Sequence, residues 1–334
     1  MDRAPRPRHH PPDHRLRAAA GEPDSGALRP RGPLVHRSLG LPGVVAYIGM
    51  GLLGSALAGN LIKAGLTVRG YDTAPERMRE HEARGGIPAR SPADAARGAG
   101  VVMTCLMTAD LVREVLLGPD GALNAAPSGV VVIDNSTIHP DASAALAALL
   151  AARGNPMLDA PVAGSSGQAR RREAPVMVGG DPELFARCRP ILDALSERVR
   201  HVGPNGSGAR AKLVVNLVLG LNRLALAEGL LFGLRQGLDG NTLLAILKES
   251  SAYSRAMDIK GERMVEGNFE AEGKLAQHLK DVELMLDVGH AAGAPLLATA
   301  LHRQLLLAGV AGGLGDHDNS AIIAVLRSLI AAPR

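Results

Sequence analysis

A short apolar run that leads into a glycine-rich turn constrains the fold of this chain more than any other feature. Residues 44–48 are apolar and mostly β-branched, and the turn over 49–54 has the spacing G-x-G-x-x-G. Apolar residues then recur at helical spacing over 55–64, and a second strand-like run, 67–71, ends at Asp72, 18 residues after the last glycine of the turn. A strand, a glycine turn, a helix and an acid in this order predict a dinucleotide-binding βαβ unit.

Each part of this unit has a physical role. Gly49 permits the tight turn, Gly51 lets the backbone approach a pyrophosphate, and Gly54 permits close packing of strand against helix. The helix start presents free N–H groups and the positive end of the helix dipole to the phosphates. Asp72 can accept hydrogen bonds from both ribose hydroxyl groups, and its charge would repel a 2′-phosphate, so this residue predicts NAD. Arg77 is close enough in the sequence to counter that charge, so NADP is the alternative. The predicted cofactor contacts of this unit are Gly49, Met50, Gly51, Leu52, Leu53, Gly54 and Asp72.

The composition is typical of a soluble globular protein that is long enough for two domains. Of the 334 residues, 46% are hydrophobic and 21% are charged. Aromatic residues make up only 2%, which argues against base stacking and thus against a nucleic-acid partner. The longest apolar stretches, such as 213–221, are interrupted by Asn or Gly and are too short to span a bilayer, so no membrane partner is expected. The two cysteines, Cys105 and Cys188, have neither disulfide nor metal-ligand spacing; we expect buried packing residues, a reducing cytoplasm and no metal.

The basic character of the chain belongs to its first 43 residues. The net charge is +4, and over 1–43 arginines outnumber the four acids, which are Asp2, Asp13, Glu22 and Asp24. The segment lacks the apolar core of a secretory signal, and its prolines prevent a continuous amphipathic helix. We expect a disordered N-terminal extension over 1–43, or a start placed upstream of the true first residue near Val44.

Strand-like runs and helical patterns alternate from Val44 to Val202, which predicts an α/β fold with a mostly parallel, doubly wound Rossmann-type sheet. The predicted strands are 44–48, 67–71, 101–106, 130–133, 157–159, 175–178 and 199–202. Three of the helices between them have starts marked by a capping residue near a proline: Thr73 before Pro75, Ser91 before Pro92, and Asp181 before Pro182.

After Gly206 the pattern changes to helices alone. A long apolar helix is predicted over 207–237, followed by helices over 240–249, 278–292, 296–311 and 319–331. The chain is therefore divided into a dinucleotide-binding domain over 44–205 and an all-helical substrate and dimerisation domain over 206–332. Because the long helix is apolar on several faces, we expect it to pack against its own domain and against another subunit, in a homodimer or homotetramer.

Five motifs in order along the chain resemble one protein family. The first is the glycine-rich turn, and the others are Asp134-Asn135-Ser136-Thr137 (D-x-S-T), Asp159-Ala160-Pro161-Val162-Ala163-Gly164-Ser165-Ser166-Gly167 (D-A-P-V-S-G-x-x-G), the segment from Gly203 to Asn216 (G-x-x-G-x-G-x-x-x-K-x-x-x-N), and Lys280-Asp281 (K-D). The chain is similar to the β-hydroxyacid dehydrogenases, which include 3-hydroxyisobutyrate dehydrogenase and tartronate semialdehyde reductase. The resemblance covers residues 44–330 and implies NAD(P)-dependent interconversion of a short 3-hydroxyacid and its semialdehyde.

Lys212 is the residue to which the resemblance assigns catalysis. Hydride transfer at a substrate carbon requires a proton to join or leave the adjacent oxygen, and a lysine in a largely apolar helix suits this because burial lowers its pKa. Asn216 lies one helical turn further on, on the same face, where its amide can bond the substrate hydroxyl or steady the lysine. The alternative is a lysine near a helix start that extends to water, with Asn216 as an isolated polar residue.

The resemblance places the carboxylate of a small substrate at the loop 164–167. Its small residues, with Gly164 and Ser165 foremost, can expose backbone N–H groups as an anion-binding nest; the alternative is a plain connection between strands. Ala163 departs from the family, which has a serine there, and Ser165 and the serine after it are near enough to replace that hydroxyl. The arginines 170–172 also depart from it, which points to a dianionic or larger acid or, more commonly, to a solvated run of charges.

Four further residues are predicted from the resemblance to contact the cofactor. The backbone of Leu106 and Met107 would lie against its ribose, although Met107 stands where the family usually has proline. Thr137 would approach the nicotinamide end, and Lys280 would reach the cofactor from the helical domain.

These features predict a cytoplasmic NAD(P)-dependent 3-hydroxyacid dehydrogenase or semialdehyde reductase. Two alternatives stay open. An imine reductase shares the architecture, although such relatives typically replace the lysine. A non-catalytic dinucleotide-binding module would be expected to lose the lysine or the cofactor loop, and both are present here. A 6-phosphogluconate dehydrogenase would need a much longer helical domain.

Overall fold

The computed structural model describes residues 43–330 of the chain. The extension predicted over 1–43 therefore lies outside the described residues, apart from Gly43. Within the described range, strands and helices alternate up to Gly203, and the chain is helical from Ser207 onward. This is the order that the sequence predicts, while the division into domains over 44–205 and 206–332 stays a prediction.

The sheet has eight strands in the order β3-β2-β1-β4-β5-β6-β7-β8. They are β1 (Val44–Ile48), β2 (Thr67–Tyr71), β3 (Ile87–Pro88), β4 (Val101–Thr104), β5 (Val131–Asp134), β6 (Met157–Asp159), β7 (Val176–Gly179) and β8 (Val199–Gly203). All neighbouring pairs are parallel except β6 with β7, so the predicted doubly wound α/β sheet is confirmed. The sequence does not predict β3, because its two residues are too short to show a pattern.

Helices lie on both faces of the sheet and are the main elements of the described chain after β8. Those between strands are α1 (Leu52–Lys63), α2 (Pro75–Ala83), α3 (Pro92–Ala96), α4 (Ala109–Leu117), α5 (Pro140–Ala151), α6 (Ser166–Arg170) and α7 (Pro182–Leu195). After β8 come α8 (Ser207–Arg235), α9 (Gly240–Glu249), α10 (Arg255–Glu266), α11 (Leu275–Ala291), α12 (Leu297–Ala311) and α13 (Ile322–Ser328). The helix predicted over 319–331 is a short 3-10 turn, Asn319–Ala321, followed by α13.

Two of the three predicted helix caps are present and one is wrong. The side chain of Ser91 accepts a hydrogen bond from the Asp94 N–H, and that of Asp181 accepts one from the Leu184 N–H. At α2 the N-cap is Ala74 and not Thr73. The reason is local: the Ala74 N–H is bonded to the carboxylate of Asp72 at 2.9 Å, which serves as the acceptor at this helix start.

The strands bury both faces, as expected for a parallel sheet between helix layers. Alternate residues of β1 point to opposite sides: Val45 and Tyr47 join one hydrophobic cluster with α1 and α7, and Ala46 and Ile48 join another with α3, α4 and α5. A third cluster lies among α8 to α13. The carboxyl ends of β1, β2, β4 and β5 consequently meet at one edge of a rigid sheet.

Helix α10 has no counterpart among the predicted helices. Its buried face includes Lys260 and Gly261 beside Met257 and Met264, so its apolar spacing is interrupted. Lys260 is tolerated there because its ammonium lies 2.9 Å from the carboxylate of the fully buried Asp318. Because the partner of Lys260 comes from a distant segment of the chain, the periodicity of the sequence gives no sign of this helix.

Helix α8 joins the sheet to the helical part. It packs against β6, β7 and β8 and also against α9 to α13. Among the described residues, α8 is the one helix whose length and composition alone would allow it to cross a membrane. The expectation of no membrane span was based on the shorter stretch 213–221. However, α8 buries three polar residues, Lys212, Asn216 and Arg223, and packs against other elements on both sides. These are properties of a core helix.

Candidate active site

The glycine turn has the geometry that a dinucleotide requires. Gly49 has φ +95°, a backbone conformation that L side chains rarely adopt. A Cβ atom at Gly54 would overlap the carbonyl oxygen of Gly49, whereas Gly51 has nothing within 4 Å of the place its Cβ would take. The first turn of α1 carries no acidic residue and no side-chain cap, so no side chain occupies the place of an anion at this helix start. This arrangement fits a pyrophosphate.

Asp72 lies at the end of β2, beside this turn. One of its oxygens accepts the Met50 N–H at 2.7 Å, and the other accepts the Ala74 N–H at 2.9 Å. The guanidinium of Arg77 lies 3.2 Å from each of the two oxygens. The sequence predicts Asp72 at this place, and the structure adds that Arg77 already pairs with its carboxylate.

Lys212 is buried where α8 passes the sheet, with 6% of its surface exposed. Its ammonium donates a hydrogen bond to the carbonyl oxygen of Val162 at 2.6 Å. Burial lowers the pKa of Lys212 to about 8; the Asp281 carboxylate acts against this shift and the Lys280 ammonium adds to it. The alternative of a lysine that extends to water is therefore wrong.

Asn216 and Lys212 lie on the same face of α8, as their spacing predicts. The amide of Asn216 donates a hydrogen bond to Asp281 at 2.9 Å, and the other carboxylate oxygen of Asp281 lies 3.2 Å from the Lys280 ammonium. Asp281 thus connects α8 to α11 beside Lys212. Sequence reasoning missed it as a site residue, although its position next to Lys280 in the K-D motif was the available signal.

Lys280 joins the helical part to two loops of the sheet. Its ammonium donates hydrogen bonds to the carbonyl oxygens of Thr137 at 2.6 Å and Met107 at 3.1 Å. These carbonyls follow β5 and β4, two adjacent strands of which β4 lies next to β1. Three residues predicted separately as cofactor contacts are thus brought together at the sheet edge.

A buried polar network beneath these loops fixes their shape. Asp134, at the end of β5, accepts hydrogen bonds from the Thr104 hydroxyl at 2.7 Å and the Ser136 N–H at 3.0 Å. The Ser136 hydroxyl accepts the Leu106 N–H at 2.9 Å. Burial raises the pKa of Asp134, although its hydrogen bonds act against that shift. The sequence marks the D-x-S-T motif but does not reveal that it positions the backbone at Leu106.

The loop predicted to hold the substrate carboxylate is only partly free to do so. Ser165 is the N-cap of α6: its hydroxyl accepts the Gln168 N–H, and its own N–H donates to the Gln168 side chain. The hydroxyl of Ser166 donates to the carbonyl of Glu272 at 3.4 Å. The hydroxyl of Ser166 is thus engaged as a donor, whereas that of Ser165 only accepts a hydrogen bond, so the expectation that a neighbouring serine replaces the hydroxyl missing at Ala163 stays a prediction for Ser165. Gly164 follows two residues after Val162, whose carbonyl accepts the hydrogen bond from Lys212.

The arginine run serves local structure. Arg171 forms a two-pronged ion pair with Glu173 at 3.1 and 3.2 Å. Arg172 has φ +62° and donates to the carbonyl of Asp193 at 2.6 Å. These contacts favour the interpretation of a surface charge run over recognition of a dianionic acid.

The two cysteines differ in position. Cys188 is fully buried in the core. Cys105 is half-buried directly after β4, beside Tyr47 and near enough to Asp134 and Lys212 for their charges to affect it, and burial raises its pKa to about 12. It is therefore a neutral thiol at the margin of the site and not only a packing residue. Within residues 43–330, no group of three His, Cys, Asp or Glu side chains could hold a metal ion.

Comparison with known proteins agrees with this geometry. Residues 44–203 match the family model described as the NAD binding domain of 6-phosphogluconate dehydrogenase. Residues 206–326 match the model described as NAD-binding of NADP-dependent 3-hydroxyisobutyrate dehydrogenase. Together the two models account for nearly all of the described chain.

Individual relatives match over almost their whole length. The chain is 34% identical to a 2-(hydroxymethyl)glutarate dehydrogenase of Eubacterium barkeri, over 84% of this chain and 94% of the relative. It is 30% identical to a 2-hydroxy-3-oxopropionate reductase of Escherichia coli, over 84% of this chain and 96% of the relative. Among solved structures, a 3-hydroxyisobutyrate dehydrogenase from Salmonella typhimurium superimposes with a TM-score of 0.78 at 27% identity, covering 84% of this chain and 99% of the other.

Proposed function

Since this chain belongs to the β-hydroxyacid dehydrogenase family, we propose that it interconverts a short 3-hydroxyacid and its semialdehyde, with NAD(P) as cofactor and Lys212 as the general acid and base. Family membership supports the class of reaction, an oxidation of CH–OH. The observation that carries the assignment to Lys212 is its burial beside Val162 with a pKa of about 8. An amine with this pKa holds and releases a proton near neutral pH.

The reaction divides between the cofactor and the chain. When bound along Gly49–Gly54 and Asp72, the nicotinamide cofactor supplies or accepts the hydride. During reduction, the protonated Lys212 gives its proton to the substrate oxygen as the C–H bond forms. During oxidation, neutral Lys212 takes the hydroxyl proton while that C–H bond breaks. The hydrogen bond to the Val162 carbonyl keeps the Nζ atom in place in both directions.

Asn216, Asp281 and Lys280 support Lys212 in different ways. The contact with Asp281 fixes the amide plane of Asn216, which leaves the amide oxygen to accept a bond from the substrate hydroxyl. Lys280 holds the loops at Met107 and Thr137 against the helical part. We assign the substrate carboxylate to the backbone at Gly164 and the hydroxyl of Ser165, and the substrate hydroxyl to the amide oxygen of Asn216; the N–H of Ser165 contributes only if Gln168 releases it. The substrate is thus a small carboxylate.

The two alternatives fit less well. The lysine that imine reductase relatives typically replace is present here, buried and hydrogen-bonded. A non-catalytic dinucleotide-binding module would have no need of a lysine held at a large desolvation cost. We also propose that the enzyme works in the cytoplasm, without nucleic-acid or membrane partners.

An exposed apolar stripe on α8 supports the homodimer or homotetramer. Val214, Val218 and Phe232 are 64%, 52% and 70% exposed, and their spacing puts them on one side of the helix. A stripe of this kind on a helix that is otherwise in the core is typical of a surface that a second copy covers.

The proposed activity is tested by oxidation of NADH and NADPH in the presence of short semialdehydes and glyoxylate. We expect turnover with at least one semialdehyde and the reverse reaction with the corresponding 3-hydroxyacid. Reduction of cyclic imines without reduction of any aldehyde would favour the imine reductase. Binding of NADH without turnover of any compound in either class would favour the non-catalytic module.

A further inference from the structure

A buried arginine in the helical part of the molecule has no partner for its charge. Arg223 lies about three turns after Lys212 on the same side of α8, and 4% of its surface is exposed. Among residues 43–330, no carboxylate forms an ion pair with Arg223, and its Nη2 atom has no hydrogen-bond partner. Burial lowers the pKa of Arg223 to about 10, so the guanidinium keeps its charge at neutral pH. A buried charge without a partner is costly to the folded state.

Asp318 is the negative charge that acts on Arg223, but it is already engaged. Its carboxylate lies 2.9 Å from the ammonium of Lys260 and also accepts hydrogen bonds from the backbone N–H groups of Glu272 and Ser320. The single charge of Asp318 therefore balances that of Lys260, which it contacts directly, and the charge of Arg223 stays uncompensated.

Two buried histidines face the same part of α8. His278 on α11 and His302 on α12 are 7% and 2% exposed, and their ring centroids lie 5.2 Å apart. Both rings pack against Gly220, where an added Cβ would lie 2.5 Å from the Nε2 atom of His278 and 3.1 Å from the Cε1 atom of His302. Gly220 precedes Arg223 by one turn, and a helical side chain lies over the turn before its own Cα. The guanidinium of Arg223 is thus directed toward the two rings.

These three side chains offer hydrogen-bond donors and one positive charge. Burial lowers the pKa of both histidines, and the charge of Arg223 adds to the shift in each. Each ring is therefore neutral at neutral pH and has one N–H to donate. In the described part of the chain, the Nε2 atom of His278 has no hydrogen-bond partner. A water molecule can accept such bonds but leaves the guanidinium charge uncompensated, whereas an anion satisfies both the donors and the charge.

We propose that Arg223, His278 and His302 form a buried site for one small monovalent anion, such as chloride, between α8, α11 and α12. A single guanidinium charge matches one negative charge, and the burial of all three side chains limits the size of the ligand. The anion holds the three helices together. Because His278 lies three residues before Asp281 on the same side of α11, the site also steadies the helix that carries Lys280 and Asp281. The inference is independent of the proposed function, since it involves neither dinucleotide binding nor turnover.

The first test is thermal melting of the full-length protein as potassium chloride replaces potassium gluconate at constant ionic strength. Gluconate is too large for an enclosed site of this kind. We expect the melting temperature of the wild type to rise by about 3 °C or more in chloride, because a ligand that binds only the folded state stabilises it. Arg223→Met should show no such rise. In gluconate this variant should melt no lower than the wild type, since it removes an uncompensated buried charge.

Arg235→Met is the matched control, because it removes the same charge from an exposed position of the same helix. It should keep the wild-type response to chloride, which separates the site from general effects of salt. A wild-type melting temperature that is equal in the two salts overturns the proposal. A rise that persists in Arg223→Met, or one that is lost in Arg235→Met, overturns it as well. Arg223→Gln replaces Arg223→Met if the latter does not fold.

The second test needs no variant. Crystals of the wild-type protein grown in potassium bromide and measured at the bromine absorption edge should show an anomalous peak between the guanidinium of Arg223 and the rings of His278 and His302. Bromide peaks on the protein surface without one at this place would overturn the proposal.

Discussion

Replacing Lys212 by methionine separates the cost of burying its charge from its role in proton transfer. Methionine keeps an unbranched side chain but has no ionisable group. Burial lowers the pKa of Lys212 from 10.5 to about 8, even though the Asp281 carboxylate acts against it. One pKa unit corresponds to about 1.4 kcal/mol, so the charged lysine costs the folded state about 3 kcal/mol at neutral pH.

We therefore expect Lys212→Met to unfold at higher urea concentration than the wild type and yet to lose turnover. The gain in stability should approach 3 kcal/mol, about the size of the desolvation cost. Turnover should fall roughly 100-fold or more, the range for loss of a general acid or base. Binding of NADH should hardly change, because the dinucleotide contacts lie over Gly49–Asp72. Lys212→Arg should lose turnover as well, since a guanidinium keeps its proton near neutral pH.

The pH dependence of stability provides a second readout. Between about pH 8 and the unfolded-state value of 10.5, the unfolded chain holds a proton on Lys212 that the folded protein has released. Wild-type stability should consequently rise with pH across this window, and the rise should be absent in Lys212→Met. The rate of reduction depends on the protonated amine and should decline above a pH of about 8, whereas the rate of oxidation depends on the neutral amine and should increase there.

The assay combines urea unfolding with steady-state turnover from about pH 6 to pH 10. Lys248→Met is the control, because this lysine is partly exposed and lies 3.8 Å from Asp258, away from the site. It should change neither turnover nor the pH profile. Wild-type turnover in Lys212→Met at every pH would refute the role in proton transfer, and a large loss of stability would refute the reasoning on burial.

Three further predictions concern other parts of the molecule. Gly54→Ala should abolish NADH binding measured by fluorescence titration, because the added Cβ overlaps the Gly49 carbonyl and forces the turn apart; unchanged binding would contradict the geometry of the turn. Val218→Asp should shift the mass measured by light scattering toward the monomer, since it puts a charge on the exposed stripe of α8, and an unchanged mass would place the interface elsewhere. Burial and the nearby Arg223 lower the pKa of His302 to about 4, so protonation of this group in the unfolded chain reduces the stability of the protein as the pH falls from 6.5 to about 4. His302→Leu should therefore make the melting temperature depend less on pH over that range. An unchanged dependence of the melting temperature on pH would assign the acid sensitivity to other groups.

The dinucleotide-binding half was predictable because its determinants are local. The glycine turn, the apolar run before it and Asp72 after it lie within a short stretch, and parallel strands buried on both faces leave an unmistakable alternation with helices. Lys212 and Asn216 could be paired for the same reason, since residues four apart share a helix face. The strand β3 and helix α10 escaped because one is too short to show a pattern and the other buries Lys260, whose partner Asp318 comes from a distant segment.

Only the tertiary structure decided which polar groups remain free to act. Ser166 looks available in the sequence, but its hydroxyl donates to the carbonyl of Glu272, and the backbone N–H of Ser165 donates to the side chain of Gln168. Asp281, which the sequence does not mark as a site residue, contacts Asn216, and Arg77, which the sequence places only near Asp72, pairs with its carboxylate. A proton that already takes part in one hydrogen bond is not free for a ligand, and several of the partners here come from segments far apart in the chain. The sequence by itself thus determined which residue types reach the sheet edge, whereas long-range packing determined the hydrogen bonds and the lowered pKa that make Lys212 suitable for proton transfer.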